Sequence, residues 1–570
     1  MPYDVIFRTG YFAILLGLID ELKNRDYYVI ETSERIISSY KDRIIKIPDF
    51  SLCSIKNLKN ILPDYPTRLF ILCNSPYIYH YLPMYFKARL LSPENIFFIL
   101  PSGTEIKATL SGIIKAIYYY CKDILADMYQ AALFRYTGNP FYNVRVRERK
   151  IKFSDKKKVL FISYFFPPQA SSGSFRPAKF VKYLKRSGWD VSVITTDTKH
   201  YLMYPPDATM LKGVEDVEIF RVSHRDSVAE MIDFLKPDGL RLFLKKYFQP
   251  DTAVLWSKKT FHKAVKIIED KNIPLVWLTG NPFSLFYIGK YLKLVYPDIK
   301  VVFDYRDLWS LTAFQFYDTE SLKTNFNIEK ELIKYADHIT IVPASVIELS
   351  KTFNYPIENI TEIPNGYDEE DFAAKTDYGL KLYSGMKLGY IGSAYQDYSP
   401  AKVIEVVDRL NRREKTDIKI YLVGYSLEHC LRVVAPEIIN NSCIIISHME
   451  YLKTLSFMVD MDMLLLCIPE NAPYNYSGKL FNYIRANRPI LLIAPPDSAP
   501  QRVLQTVGSG DYISGWDEEE IAMNLRKCYE RYLNGQLVCY HDRERFIKYS
   551  REEQTKMLNK IFSSLITFNN

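Results

Sequence analysis

The sequence has no CxxC pair, and no cysteines are spaced with histidine as zinc ligands are. Its eight cysteines, at 53, 73, 121, 430, 443, 467, 528 and 539, are scattered. That argues against a structural zinc and for a reducing compartment. No stretch is long and apolar enough for a transmembrane helix. The opening, MPYDVIFRTGYFAILLGLIDEL, holds an apolar run too short to span a bilayer. It lacks a basic leader with a small-residue cleavage site, and Asp4 precedes the run, so it reads as folded protein. The expected address is the cytoplasm. A GxGxxG dinucleotide fingerprint is also missing. A net charge of +8 over 570 residues, with the basic residues dispersed, suits anionic ligands or a membrane surface. It does not mark a nucleic-acid binder.

What is present is an ordinary hydrophobic content of 48% with an unusual aromatic load, 45 Tyr and 33 Phe. The length allows about two to four domains, each with ample core. Residues 1 to about 150 form a first unit. Apolar runs at 4–7, 28–30, 68–73 and 96–100 predict strands, alternating with helical patterns at 12–22, 55–62 and 79–91. That alternation implies an α/β layer with a parallel sheet. A helical stretch from Glu105 to about Tyr136 carries Lys107, Lys115 and Lys122. It reads as packing on the next domain, with a membrane surface as the alternative. Residues 139–158 form a linker with a basic cluster at Arg145, Arg147, Arg149 and Lys150.

The second unit opens at Lys156. Strand 159–163 leads through a small-residue loop, 167–174, to a helix over 176–185 and a strand at 191–195. The loop lies at the carboxyl end of a strand, where open α/β sheets bind ligands. Strands follow at 217–221, 275–279 and 300–304, the last ending in DYRDLWS (304–310). Its two carboxylates around an arginine make a polar cluster suited to chemistry. Equally, Asp307 can cap the next helix and Arg306 pair with a neighbouring carboxylate. Strand 338–342 and strand 360–363 lead to PNGYDEEDF, whose Asn365–Gly366 pair signals a turn and a hinge. A third unit follows, with strands at 388–391, 418–423, 444–447, 463–467 and 490–493 and a helix over 401–410. A charged amphipathic helix is expected from Arg543 to about Ile566.

The chain is organised around YNYSGKLFNYIRANRPILLIA (474–494). It reads as a loop, a helix with Leu480, Phe481, Tyr483 and Ile484 at helical spacing, and a buried strand after Pro489. Unpaired N–H groups of the first turn, with Lys479 beside them, offer a phosphate site. An ordinary helix start followed by a core strand accounts for the segment equally well.

FISYFFPP with its loop, DYRDLW, ADHITIVPAS followed by IPNGYDEEDF, LGYIGS and YSGKLFNYIRANRPIL resemble, in order and spacing, the nucleotide-sugar-dependent glycosyltransferases of family 4. The resemblance is greatest to the branch that builds capsular and cell-surface polysaccharides, and it runs from about Lys156 to the end. It implies a GT-B architecture: two Rossmann-like doubly wound α/β domains, 156–365 for the acceptor and 366–540 for the donor, facing across a cleft. A helix, 541–570, returns to the first of them, and an extra α/β domain (1–150) of unassigned role precedes both.

By that resemblance Gly392 and Ser393 approach the donor diphosphate, and Ser477, Gly478 and Lys479 hold it. Gly173 faces the diphosphate or acceptor, while His448 and Tyr451 contact the nucleobase. Asp304, Arg306 and Asp307 position acceptor and sugar. Many family members carry a Glu, seven residues and a second Glu here, where this chain has Tyr474 and Asn482; Asn482 can still bond a ribose hydroxyl, without the charge. The loop after Ser393 also lacks the usual Arg and Lys. The implied reaction is retaining transfer of a sugar from a nucleotide diphosphate donor to a hydroxyl of a growing, lipid-linked surface glycan. No cofactor and no metal are expected, and no nucleic-acid partner. Peripheral contact with the inner face of the membrane is an expectation from the basic linker and the stretch from Glu105. An inverting enzyme would need one of the aspartates as base. Two rivals stand beside this reading: an epimerase on the same scaffold, and a decayed glycosyltransferase that scaffolds a polysaccharide-assembly complex.

Overall fold

Continuous apolar runs such as VLFIS, LVWLT and VVFDY suit strands covered on both faces, as parallel sheets between helices are. The computed structural model bears this out in two wholly parallel sheets and adds, before them, a sheet with one antiparallel strand. It describes residues 158–197, 206–223, 249–311 and 319–566, except 343–344, 374, 393–398, 425–432, 447–448, 472, 475, 509–511 and 540. Six strands and a few isolated positions are described before residue 158.

The first sheet holds β1 (Asp4–Arg8), β2 (Tyr27–Glu31), β3 (Ile44–Lys46), β4 (Arg68–Leu72), β5 (Asn95–Ile99) and β6 (Glu105–Lys107), in the order β3-β2-β1-β4-β5-β6. All neighbours are parallel except β6, which runs antiparallel to β5 and pairs Ile106 with Phe98. This corrects the helix expected to begin at Glu105. The open edge of β5 presents N–H and C=O groups that a paired strand satisfies, and three residues are too few to show a period. The rest of that stretch, 108–136, lies outside the described residues.

The second sheet holds β7 (Lys158–Ser163), β8 (Asp190–Thr196), β9 (Glu218–Val222), β10 (Leu275–Gly280), β11 (Lys300–Tyr305), β12 (His338–Ile341) and β13 (Ile360–Glu362), ordered β13-β12-β11-β10-β7-β8-β9. The third holds β14 (Met386–Ile391), β15 (Ile418–Val423), β16 (Cys443–Ile446), β17 (Met463–Cys467), β18 (Ile490–Ile493) and β19 (Ile513–Ser514), ordered β16-β15-β14-β17-β18-β19. Every pairing in these two sheets is parallel. Strand order reverses between β7 and β10 in the second sheet and between β14 and β17 in the third. Crevices open at such reversals, at the carboxyl ends of the strands.

Five helices matter below: α1 (Ser172–Arg186), α2 (Thr319–Leu332), α3 (Tyr451–Val459), α4 (Gly478–Arg485) and α5 (Arg551–Ile566). Helix α1 starts four residues before the expected Arg176, so Gly173 and Ser174 form its first turn. The expected C-terminal helix is broken. Arg543–Phe546 and a 3-10 turn precede an extended Ser550, because Ser550 bridges to Tyr367 and Phe546 stacks on the Tyr367 ring at 4.4 Å. Helix α5 then crosses back to the first of the two larger sheets. Phe562 packs against Phe161 and Trp189, and the Trp189 indole N–H donates to Asn559 Oδ1 at 2.8 Å. No helix among the described residues is long and apolar enough to cross a membrane.

Candidate active site

In the second sheet the residues after β7, β10 and β11 meet. The backbone N–H of Arg306 and its Nε both donate to the carbonyl of Gly280, at 3.1 and 3.0 Å. Its guanidinium also donates to the Asn281 carbonyl and lies over the Phe165 ring at 5.4 Å. A Cβ on Gly173 would stand 2.2 Å from Arg306 Nη1 and 2.8 Å from Phe165. Only a glycine therefore lets the arginine lie across the first turn of α1. The structure thus brings Gly173 and Arg306 together. Asp307 reaches solvent beside them, yet surrounding protein pushes its carboxyl above the ordinary value, opposed by Arg306.

Asp304 is placed differently. It is fully buried, and its oxygens accept from Arg176 Nη2 at 2.8 Å and Nε at 3.1 Å, Thr279 Oγ1 at 2.8 Å and Thr340 Oγ1 at 2.6 Å. Every donor comes from inside the first of the two larger units. Arg176 in turn donates through Nη1 to the carbonyls of Ile363 and Pro364, at 2.8 and 3.1 Å. Asp304 is thus a hub joining the strand end to the hinge, without a free lone-pair direction toward a substrate.

The same face of α1 carries more charge into the hinge. Lys182 donates to Asp368 at 2.7 Å, the Tyr183 hydroxyl donates to it at 2.6 Å, and Lys179 holds both Asp368 and Asp371. Arg186 pairs with Glu370. Asp368 is held well below its usual range by the two lysines and the tyrosine against the effect of burial, whereas burial raises Asp371. None of these residues was singled out from the sequence. The signal was there: Arg176, Lys179, Lys182, Tyr183 and Arg186 recur at helical spacing opposite the acidic run DEED (368–371).

The third sheet supplies the second half. Its reversal between β14 and β17 sets Gly392 beside the N-terminus of α4. Gly392, at φ +111°, lies so near Lys479 that a Cβ would sit 2.6 Å from Cε and 3.0 Å from Nζ. The amine rests 4.4 Å from the centre of the buried Tyr390 ring. Burial lowers its pKa to about 8. Ser477 is the N-cap residue but makes no side-chain cap bond, and a Cβ on Gly478 would meet nothing within 4 Å. Space is therefore open beside Gly478, while the Leu480 N–H of the same turn donates to the Ser477 carbonyl at 3.1 Å. Asn482 sits half-buried one turn along α4, and Tyr474 is 56% exposed. Ser393 and His448 lie outside the described residues.

Tyr451 joins the two larger units. Its ring lies 4.5 Å from Phe175, its hydroxyl interacts with Asp371, and its backbone N–H donates to Asp207 Oδ2 at 2.7 Å. Asp207 thereby caps α3 across the boundary while its Oδ1 accepts from Thr209. This leaves Tyr451 occupied at the lobe boundary, where the resemblance implied a base contact. A second bridge runs from Asn365 Nδ2 to the Tyr476 carbonyl at 3.1 Å, next to the first turn of α4. Among the described residues no group of three His, Cys, Asp or Glu side chains is arranged to hold a metal ion.

With this geometry, the class is the doubly wound two-lobe architecture of GT-B proteins. The model of Glycosyltransferase Family 4 matches residues 178–371, from α1 to the acidic hinge. A sucrose-phosphate synthase from Thermosynechococcus elongatus superposes with a TM-score of 0.51 at 12% identity, covering 72% of this chain and 99% of that one. HepE of Anabaena, crystallised with UDP-glucose, gives a TM-score of 0.50 at 12% identity, covering 71% of this chain and 99% of that one. At such identities the likeness is one of fold. No curated protein matches the sequence. Fold and sequence match together carry a resemblance to the GT-B glycosyltransferases of family 4.

Proposed function

We propose that the protein transfers a sugar from a nucleotide diphosphate-sugar to a hydroxyl of a growing surface glycan, with retention and without a metal. The observation that carries this is the Lys479 amine pressed against Gly392 at the uncapped N-terminus of α4. A diphosphate there meets a cation and the positive end of the helix dipole, which stabilise the leaving group as its charge develops. Ser477 and Gly478 supply that first turn, and Asn482 one turn on bonds a ribose hydroxyl. Across the lobes, Arg306 and Asp307 position acceptor and sugar; Asp304 acts from inside by holding the strand end. Retention assigns the acceptor proton to the leaving phosphate, so no aspartate has to serve as base. HepE was crystallised with UDP-glucose, so UDP-sugars are the first donors to test. An acceptor on a lipid carrier would place the protein at the inner face of the membrane.

The test is release of nucleotide diphosphate across UDP-, GDP- and ADP-sugars by wild type and Lys479→Ala. Release from one donor, lost in the variant, is expected. Tyr474 and Asn482, standing where many relatives of the resembled family have glutamates, favour a second reading as a scaffold. Donor binding by thermal shift, without turnover or hydrolysis of any donor, would favour that one.

A further inference from the structure

Helix α2 runs behind the loop that carries Arg306 and Asp307, and two of its side chains four residues apart face that loop. Asn325 Oδ1 accepts from the Trp309 indole N–H at 2.8 Å, while its Nδ2 donates to Gln249 Oε1 at 2.6 Å. Glu329 Oε2 accepts from both the backbone N–H and the hydroxyl of Ser310, at 2.9 and 2.5 Å. Its other oxygen, Oε1, and the Tyr305 hydroxyl are each buried with no partner in standard hydrogen-bonding geometry. The two groups nevertheless interact: burial and then the Glu329 carboxyl push the Tyr305 hydroxyl well above its ordinary value. Glu329 therefore touches the residues on both sides of the Arg306–Asp307 pair, Tyr305 before it and Ser310 after it.

The geometry points to Glu329 as a positioning residue that clamps the two ends of the 305–310 loop and so sets where Arg306 and Asp307 stand. The inference rests on the proposed transfer reaction, because those two residues are assigned the acceptor side there. Burial raises the Glu329 carboxyl to about 7, with the Ser310 bonds opposing the shift. The groups around it are Tyr305 of β11, with Tyr355 beyond it. On α2 itself Lys330 and Glu331 are exposed, and Glu331 pairs with Lys290 of the neighbouring helix. Among the described residues no cation contributes to holding the Glu329 charge. The clamp thus changes its charge near neutrality at Tyr305 and Ser310, which flank Arg306 and Asp307 in the chain, and the reaction is expected to follow that titration.

Glutamine reproduces the neutral acid, with one oxygen to accept from Ser310 and an NH2 to donate toward Tyr305. Alanine removes the clamp. The experiment measures kcat/KM for the acceptor from pH 5.5 to 9 in wild type, Glu329→Gln and Glu329→Ala, with donor affinity measured in parallel. The expected result has three parts: an ionisation near pH 7 in wild type that is absent from Glu329→Gln; a tenfold or greater loss of acceptor kcat/KM in Glu329→Ala; and donor affinity within twofold throughout. Persistence of the ionisation in Glu329→Gln, or an unchanged kcat/KM in Glu329→Ala, would overturn the assignment. Wild type that turns over no donor at any pH defeats the transfer reading and the assignment with it. Turnover with an unmoved profile defeats only the assignment.

Discussion

Lys479 offers the sharpest quantitative test. Its amine is held at about 8 by burial, whereas a diphosphate placed against it would favour the charged form and return it above about 10. A ligand that binds only the ammonium form loses about tenfold in affinity per pH unit above the free-state pKa. At pH 7 the amine is about nine-tenths protonated and at pH 9 about one-tenth, so the Kd for UDP should weaken about tenfold between them. The terminal phosphate of UDP, with a second ionisation at about 6, adds only a small opposing slope at the lower edge of that window. Binding at pH 8 should take up about half a proton, readable as a dependence of the calorimetric enthalpy on buffer. Lys479→Ala should bind about 10- to 150-fold more weakly at pH 7, the range for a charged hydrogen bond of about 1.5–3 kcal/mol, and its Kd should be flat from pH 7 to 9. A flat wild-type Kd, or the same slope in the variant, would refute the placement of the phosphate at this amine.

Other outcomes follow from single contacts. Arg176→Met leaves Asp304 buried with only two threonine donors, so unfolding should become easier by about 3–5 kcal/mol, seen as a lowered denaturation midpoint. Gly173→Ala drives a methyl into Arg306 and Phe165; a cost of about 1–3 kcal/mol should come with lost transfer and retained UDP binding. Glu329 has a folded pKa above its unfolded value, so its contribution to stability is present below about pH 4.5 and lost as pH rises through 7. Glu329→Gln should therefore gain on wild type by about 2.5 kcal/mol between pH 5 and pH 8, checked by urea melts at both.

Much of the two larger units was legible because their central strands are buried apolar runs, and such runs can be read without knowing their partners. The proposed phosphate half of the site can be read from the sequence for a related reason. Gly392, Ser477, Gly478 and Lys479 sit at strand and helix ends, where local chain chemistry already predicts open donors. The hinge charges were not. Lys182 and Asp368 are 186 residues apart, and their partnership exists only once α1 lies against the acidic turn. Glu329 was equally hidden: in the sequence it is one more acidic residue on a charged helix, and only the fold turns it inward. Asp304 shows the opposite failure, a carboxylate at a strand end that chemistry could use but that the interior has already claimed.

The course of α5 has a consequence for synthesis. Residues 158–363 leave the ribosome about 200 residues before Leu558, Phe562 and Ile566, which close one side of their core. Until then the flank formed by Phe161, Phe180 and Trp189 stays uncovered, and the carbonyls of Pro364 and Asn365 lack the Gln554 amide that later joins them. The lobe translated earlier is thus finished by the segment translated later. A nascent chain stalled before residue 551 would expose that aromatic flank to chaperones, and a helix supplied as a separate peptide has a ready-made place to bind.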